Sequence, residues 1–300
     1  MENQIEVKKG LQETSLDEIL FPVEMIDTEM ACNTEYSRQI IGVIDDNEFL
    51  LNVCSPRYEL VKNEDIFPNI ETILNANNID FDVEYKHINN VRFYADYVIT
   101  DKRLSYTITG TNDKIQPKLM VQHSYNGLTK YRIMFGYFRL VCSNGLVIPL
   151  EEMDEYNLSI VGKHTASINN SFHELDNMLK FFVNNGRQII LDTTLKFESL
   201  AANIYTGGSA ILDVKERIEE VLKASKITAI SNKSFDTVNS IFNTITEELE
   251  KPEMSDYNKE MNDWLIYNGI NAYIHNDDLN VMIPEVRIEK DSKVLETMLS

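Results

Sequence analysis

Short apolar runs separated by turn residues fill the first half of the chain, and this pattern predicts β-strands. Residues 39–44 and 49–55 form one pair of such runs around a turn rich in Asp and Asn. Residues 81–88 and 90–100 form a second pair. Because each pair is joined by only a few turn residues, both pairs are expected to form antiparallel hairpins.

Two helices are expected among these strands. Ser15 and Glu18 have capping-box spacing, which predicts a short helix over residues 16–20. Residues 58–78 indicate the end of a strand followed by a capped helix. Asn63 is the expected cap of that helix, and Pro68 suits its early turns, where a missing N–H costs little.

The most informative segment spans residues 118–145, which read as two long strands joined by a tight turn. An Asn-Gly pair between apolar runs, here Asn126 and Gly127, is the strongest short-range hairpin signal. A two-residue turn of this kind needs positive φ at both positions. The segment therefore predicts a long central hairpin.

After Pro149 the apolar positions recur at helical spacing, which predicts about four helices. The last of these segments carries the only tryptophan, Trp264. Segregated strands and helices indicate an α+β protein, with a mostly antiparallel N-terminal sheet, a long central hairpin and a helical C-terminal region. The expected regions are an acidic arm over 1–35, a β-rich α+β core over 36–150, and a helical region packed on the core over 151–300.

Composition limits the class of protein. Of the 300 residues, 43% are hydrophobic, which is enough for a substantial core. No apolar stretch approaches the roughly 18 residues that cross a bilayer, and the N-terminus lacks an apolar signal core. The cysteines Cys32, Cys54 and Cys142 are odd in number and widely spaced. These features predict a cytoplasmic protein without a membrane segment or a disulfide framework.

The formal net charge is −20, which repels nucleic acid at long range. Residues 101–150 are the exception, because seven lysines and arginines against two aspartates give this segment a charge of +5. Single-strand-binding proteins combine cations with aromatic stacking platforms, and this segment contains both. The candidate phosphate contacts are Lys118, Lys130, Arg132 and Arg139, and Tyr125 is the candidate stacking residue.

Two alternatives to this nucleic-acid site remain open at the level of sequence. The central aromatic residues alternate on both sides of a strand, which also fits a strand buried on two faces. The cations can equally form a solvated outer face. In either case the basic segment would have no ligand.

Catalytic and metal sites have little support in the sequence. No histidine has zinc-like spacing to a cysteine or acid, and there is no phosphate-binding loop motif, so no catalytic residue, metal or cofactor is predicted. An enzyme built around His123, Cys142 or His164 is a third possibility, and His123, His164 and His275 are the histidines that could cluster in the fold as metal ligands. Nothing local to Cys142 indicates a lowered thiol pKa.

Four landmarks resemble those of the phage/plasmid-like proteins labelled domain of unknown function 932. They are the segment from Tyr58 to Asp65, the His123–Gly127 turn with the following Arg139–Asn144, the tripeptide Lys163–Thr165, and the late segment from Trp264 to His275. The resemblance implies a mobile element and a bacterial cytoplasm. It also suggests a place in replication or recombination, by analogy with ring-forming single-strand annealing proteins.

The leading hypothesis is therefore a non-enzymatic, homo-oligomeric DNA-binding protein of a phage or mobile element, with single-stranded DNA as its partner. The alternative is an acidic protein-interaction factor, such as a host-factor or defence inhibitor or a DNA mimic, which docks a protein partner through its acidic surface.

Overall fold

The structure is a computed structural model. It describes residues 11–28, 38–108, 114–139, 148–149, 159–162, 168–227, 234–250, 260–275 and 284–300. These residues form an α+β protein, with antiparallel strands mostly in the N-terminal half and helices in the C-terminal part. The predicted fold class is confirmed. None of the described helices is both long and apolar enough to cross a membrane.

The strands are numbered in chain order. They are β1 Gln12–Thr14, β2 Val23–Asp27, β3 Arg38–Ile44, β4 Asn47–Cys54, β5 Phe81–Ile88, β6 Arg92–Ile99, β7 Tyr106–Thr107, β8 Lys114–Ser124, β9 Tyr131–Arg139, β10 Ile148–Pro149, β11 Ser159–Gly162, β12 Ile204–Tyr205 and β13 Met261–Asn262. The helices are α1 Leu16–Ile19, α2 Asn63–Ala76, α3 Ile168–Ala202, α4 Ala210–Ala224, α5 Ser234–Leu249, α6 Asp263–His275 and α7 Pro284–Leu299.

The chain divides into two compact units, and each unit is assembled from three separate stretches of sequence. Unit 1 comprises residues 1–101, 118–135 and 157–184, and unit 2 comprises residues 102–117, 136–156 and 185–300. The units therefore interleave along the chain, whereas the regions expected from the sequence were contiguous.

Unit 1 is built on a sheet in the order β1-β5-β6-β8-β9, with β11 also pairing with β9. Aromatic side chains attach the helices to this sheet. The Phe67 ring of α2 lies edge-on to Tyr85 of β5 at 5.6 Å, and the Phe182 ring of α3 stacks on Phe135 of β9 at 4.4 Å. Such ring pairs stabilise packing beyond the area they bury.

A second sheet of unit 1 has three strands in the order β2-β3-β4. The turn between β3 and β4 consists of Asp45 and Asp46, both with positive φ, as a two-residue hairpin requires. The strand pairing shifts register at Leu51, which is a β-bulge in β4. The two predicted N-terminal hairpins, β3–β4 and β5–β6, are thus confirmed.

Strands β8 and β9 are neighbours in the sheet, so the predicted central hairpin is confirmed, but the predicted turn is wrong. Six residues, 125–130, join the strands, and of these only Gly127 has positive φ. Side-chain hydrogen bonds stabilise this longer loop. The Ser124 hydroxyl bonds both the N–H and the carbonyl of Thr129, and the Asn126 side-chain oxygen accepts from the Leu128 N–H.

The short helix α1 has the predicted capping box between Ser15 and Glu18. The predicted cap of α2 is wrong by one residue. Lys62 occupies the cap position without a side-chain bond, and Asn63 is the first helical residue. The Asn63 N–H instead donates to the hydroxyl of Tyr125 at 3.0 Å, so a distant residue caps this helix.

The four helices predicted in the second half of the chain are confirmed as α3 to α6. Helix α3 is 35 residues long and extends well beyond the predicted segment. Helix α7 was not predicted, because charged residues interrupt its apolar positions. In unit 2, Trp264 of α6 is fully buried against Phe197 and Tyr267.

Candidate ligand groove beside the central hairpin

Lys118, the first predicted phosphate contact, is only 5% exposed. Its Nζ lies 2.9 Å from Oδ2 of Asp96 on the neighbouring strand β6. Lys118 would have to break this ion pair with the partly exposed Asp96 before it could bind a phosphate. The structure therefore gives Lys118 a structural role, which the sequence pattern did not indicate.

Tyr125, the predicted stacking residue, is only 1% exposed. Its ring lies edge-on to Phe93 at 5.2 Å, and its hydroxyl accepts the Asn63 N–H. Its carbonyl accepts two further bonds, from Asn52 Nδ2 at 2.9 Å and from the Tyr58 hydroxyl at 3.4 Å. Burial also raises the pKa of the Tyr125 hydroxyl. The ring is thus part of the core, and no base could stack on it in this conformation.

The other three predicted cations differ from one another. Lys130 is exposed and forms no ion pair with any described residue. Arg132 is half-buried, and its Nε has no hydrogen-bond partner in the part of the chain that the structure describes. Arg139 ends β9, and its side chain lies outside the described part. Lys130 therefore retains a cationic group that a ligand could engage, whereas the Nε of Arg132 is buried.

Of the three residues proposed for an enzyme, His123 alone lies in the part of the chain that the structure describes. His123 is fully buried, and its ring lies edge-on to Tyr125 at 5.2 Å and stacks near Phe93 at 6.3 Å. Cys142 and His164 lie outside the described residues. Within the described ranges, no group of three or more His, Cys, Asp or Glu side chains could hold a metal ion.

An open groove of about 760 Å³ lies beside the central hairpin in unit 1. One wall is the end of β4 and the segment after it, residues 52–58, and the other is Asn126 and Gly127 of the hairpin loop. A turn in which the Tyr58 N–H donates to the Ser55 carbonyl at 3.0 Å shapes the first wall. Because Asn52 and Tyr58 both bond the Tyr125 carbonyl, the two walls are fixed to each other.

The lining of the groove combines a cation, an aromatic ring and two amides. Among the described residues of the lining, Arg57 is the only one with a charged side chain; it is exposed and forms no ion pair with another described residue. The Tyr58 ring is half-buried beside it, and the amides are those of Asn52 and Asn126. Such a lining can hold a phosphate or carboxylate together with a flat ring.

The groove offers no activated nucleophile in its described lining. Burial raises the pKa of the Cys54 thiol and opposes formation of the thiolate. Burial also raises the pKa of the Tyr58 hydroxyl. Both groups are therefore neutral near pH 7.

Sequence reasoning missed Arg57 because it follows Pro56 in what reads as a simple strand break. A signal did exist, since Tyr58 begins one family landmark and Tyr125–Gly127 belongs to another. The hydrogen bond from the Tyr58 hydroxyl to the Tyr125 carbonyl joins residues of these two separate landmarks. Their contact became visible only in three dimensions.

Comparison with protein-family models identifies the family of the chain. The family model named Domain of unknown function (DUF932) matches residues 50–295, so the chain belongs to that family. The match contains every residue that lines the groove. Searches of curated proteins and of solved structures found no match.

Proposed function

We propose that this member of the DUF932 family is a non-enzymatic protein that binds single-stranded DNA in the hairpin groove. One observation carries the proposal. In a chain with a net charge of −20, the described lining of a groove of about 760 Å³ contains one charged residue, and that residue is the cation Arg57 beside the ring of Tyr58. We further propose, from the resemblance of the landmarks, that the protein acts in replication or recombination of a phage or similar element in a bacterial cytoplasm.

Each lining group has a defined role in this proposal. The Arg57 guanidinium binds a backbone phosphate with two parallel hydrogen bonds. The Tyr58 ring supports an unstacked base, and base edges bond the amide atoms that the hairpin loop does not use, the Asn52 Oδ1 and the Asn126 Nδ2. Lys130, three residues beyond Gly127, extends the cationic track along the hairpin.

Single strands suit this groove better than duplex does. Stacking on Tyr58 requires a base with a free face, which a continuous duplex does not present. The distant carboxylates repel DNA, but at about 0.1 M salt the screening length is about 10 Å. At such salt a single strand in the groove therefore interacts mainly with the cations that lie close to it.

The test is binding of a labelled oligothymidine to the full chain at about 50 and about 200 mM salt. We expect salt-sensitive binding of the single strand and weaker binding of the matching duplex. Arg57→Ala and Lys130→Ala should each weaken binding about tenfold and lower the salt slope by about 0.7, the value for one phosphate contact on a single strand. Tyr58→Leu should weaken binding by roughly 5- to 150-fold, because stacking contributes about 1–3 kcal/mol, while leaving the slope unchanged.

Lys180→Ala is the matched control, since Lys180 is an exposed cation of unit 1 that is already paired with Asp176 at 2.5 Å. It should bind like the unmodified chain. The proposal is wrong if the unmodified chain does not bind at low salt, or if the groove variants bind as tightly as the Lys180 control.

An acidic protein-interaction factor is the second candidate, and exposed aliphatic side chains favour it. Leu128 is 69% exposed on the hairpin loop, and Val53 is 40% exposed in the groove wall. Aliphatic groups at a groove rim suit a protein ligand better than a phosphate backbone. This candidate predicts no DNA binding at either salt concentration and binding of a basic protein ligand, which weakens as salt screens the acidic surface.

A further inference from the structure

Strand β4 has an open edge in the described structure. It is eight residues long, and β3 is its only described partner. Long edge strands usually carry charges or prolines that prevent pairing with other chains. Strand β4 has a bulge at Leu51, which interrupts pairing locally, but only Glu48 among its residues is charged and it contains no proline.

The outer face of β4 is also apolar. Leu50 is 58% exposed and Val53 is 40% exposed. Their partners on β3, Ile41 and Gln39, are two residues apart, so both side chains lie on the same outer face despite the bulge between them. An exposed, mostly uncharged edge with aliphatic side chains is a site where another strand can add.

We propose that two copies of this chain associate by antiparallel pairing of β4 with β4. The charges at the two ends of the strand select this partner. Glu48 lies near the start of β4, Arg57 lies three residues after its end, and neither forms an ion pair with a described residue. Antiparallel pairing brings the acidic end of each copy toward the basic end of the other.

The register follows from the same residues. A two-fold axis between Leu51 and Asn52 sets Leu50 opposite Val53 of the second copy, and the symmetry repeats this apolar pair. Glu48 then lies opposite Ser55, the residue that follows β4 in the second copy, and Arg57 lies close by in the turn that the Tyr58 N–H and the Ser55 carbonyl close. The symmetry thus forms two Leu50–Val53 pairs and two Glu48–Arg57 pairs from one surface of the chain. A second copy carries these matching residues, whereas an unrelated peptide would need matching residues of its own.

Self-pairing also has a consequence for the groove, which rests on the proposed function. Residues 52–54 belong both to the paired edge and to the groove wall, and the pairing engages Arg57. A bound single strand and a second copy would therefore compete. DNA should shift the chain toward the monomer.

The test is sedimentation velocity of the full chain without DNA, from about 1 to about 100 µM, where small interfaces associate. We expect reversible, concentration-dependent dimers. Glu48→Arg and Arg57→Glu should each weaken association at least about tenfold, because each sets like charges at both ends of the pairing. The double variant Glu48→Arg with Arg57→Glu should restore it.

Glu24→Arg is the matched control, since Glu24 is an exposed glutamate on β2, away from the open edge. It should leave association unchanged, and thermal unfolding of every variant verifies that each one folds. A chain that stays monomeric throughout the range, or a double variant that dimerises no better than the single ones, would overturn the proposal. Because no DNA is present, either result is independent of the DNA-binding test.

Discussion

Replacing Tyr125 with Phe should remove the hydrogen bond that joins the central hairpin to the N-terminus of helix α2. The Tyr125 hydroxyl accepts the N–H of Asn63, which is only 1% exposed, at 3.0 Å. Phenylalanine keeps the ring packing against Phe93 but removes the acceptor. The first N–H of α2 would then be buried without a partner, because no other bond to it is present in the described structure.

The expected magnitude follows from that geometry. A buried donor left unsatisfied costs about 1–3 kcal/mol. For a unit of this size each kcal/mol lowers the midpoint of thermal unfolding by about 2–4 °C, so the expected loss is roughly 2–12 °C. The perturbation begins at the N-terminus of α2, so the amides of residues 63–66 should exchange faster with solvent.

Tyr131→Phe provides a matched control in the same sheet. Tyr131 is 3% exposed, but its hydroxyl is buried without a hydrogen-bond partner among the described residues. Removing that hydroxyl leaves no donor stranded, so stability should stay the same or rise slightly.

Thermal unfolding followed by circular dichroism, with hydrogen exchange over residues 63–76, measures both variants. Fluorescence is unsuitable, because the only tryptophan, Trp264, lies in unit 2. The reasoning fails if both variants lose the same stability. It also fails if Tyr125→Phe leaves exchange in α2 unchanged.

Two further predictions follow from buried groups of unit 1. Burial raises the pKa of tyrosine hydroxyls such as Tyr97 and Tyr125, so the folded state favours their protonated form. The stability that this contributes is present below about pH 10, the pKa of an unfolded tyrosine, and is lost as the pH rises above it. Urea unfolding between pH 8 and pH 11 should show the decline. Asp96→Asn should lower the free energy of unfolding by about 1–3 kcal/mol, because it removes the carboxylate that pairs with the buried Lys118 Nζ. Glu84→Gln, which changes the more exposed pair with Lys86, should lower it by less than about 1 kcal/mol. Equal midpoints of urea unfolding for the two variants would contradict this prediction.

Local patterns predicted most of the secondary structure. The capping box at Ser15 and Glu18, the two N-terminal hairpins and the helices α3 to α6 all depend on residues close together in sequence. The loop after β8 was mispredicted because the Asn126–Gly127 signal competes there with side-chain bonds from Ser124. Helix α7 was missed because its few buried residues, among them Val294 and Met298, are separated by charges.

The candidate site was harder to predict than the fold. Sequence reasoning chose five residues from charge and aromaticity in one segment, and the structure buries Lys118 and Tyr125. Exposure depends on which residues lie across the sheet, and a linear pattern does not contain that information. Arg57 and Tyr58 entered the site only because Tyr58 lies within hydrogen-bond distance of the Tyr125 carbonyl.

The sequence by itself determined the fold class, the strand and helix periodicities, the family and the uneven distribution of charge, because each of these depends on composition or on nearest neighbours. Only the tertiary structure decided which cations are paired, which aromatic ring is accessible and which strand edge is open. These properties come from contacts between residues far apart in the chain, such as Lys118 with Asp96 and Tyr125 with Asn63. Burial and pairing set the energetic cost of binding a ligand, so they decide which side chains are available to one.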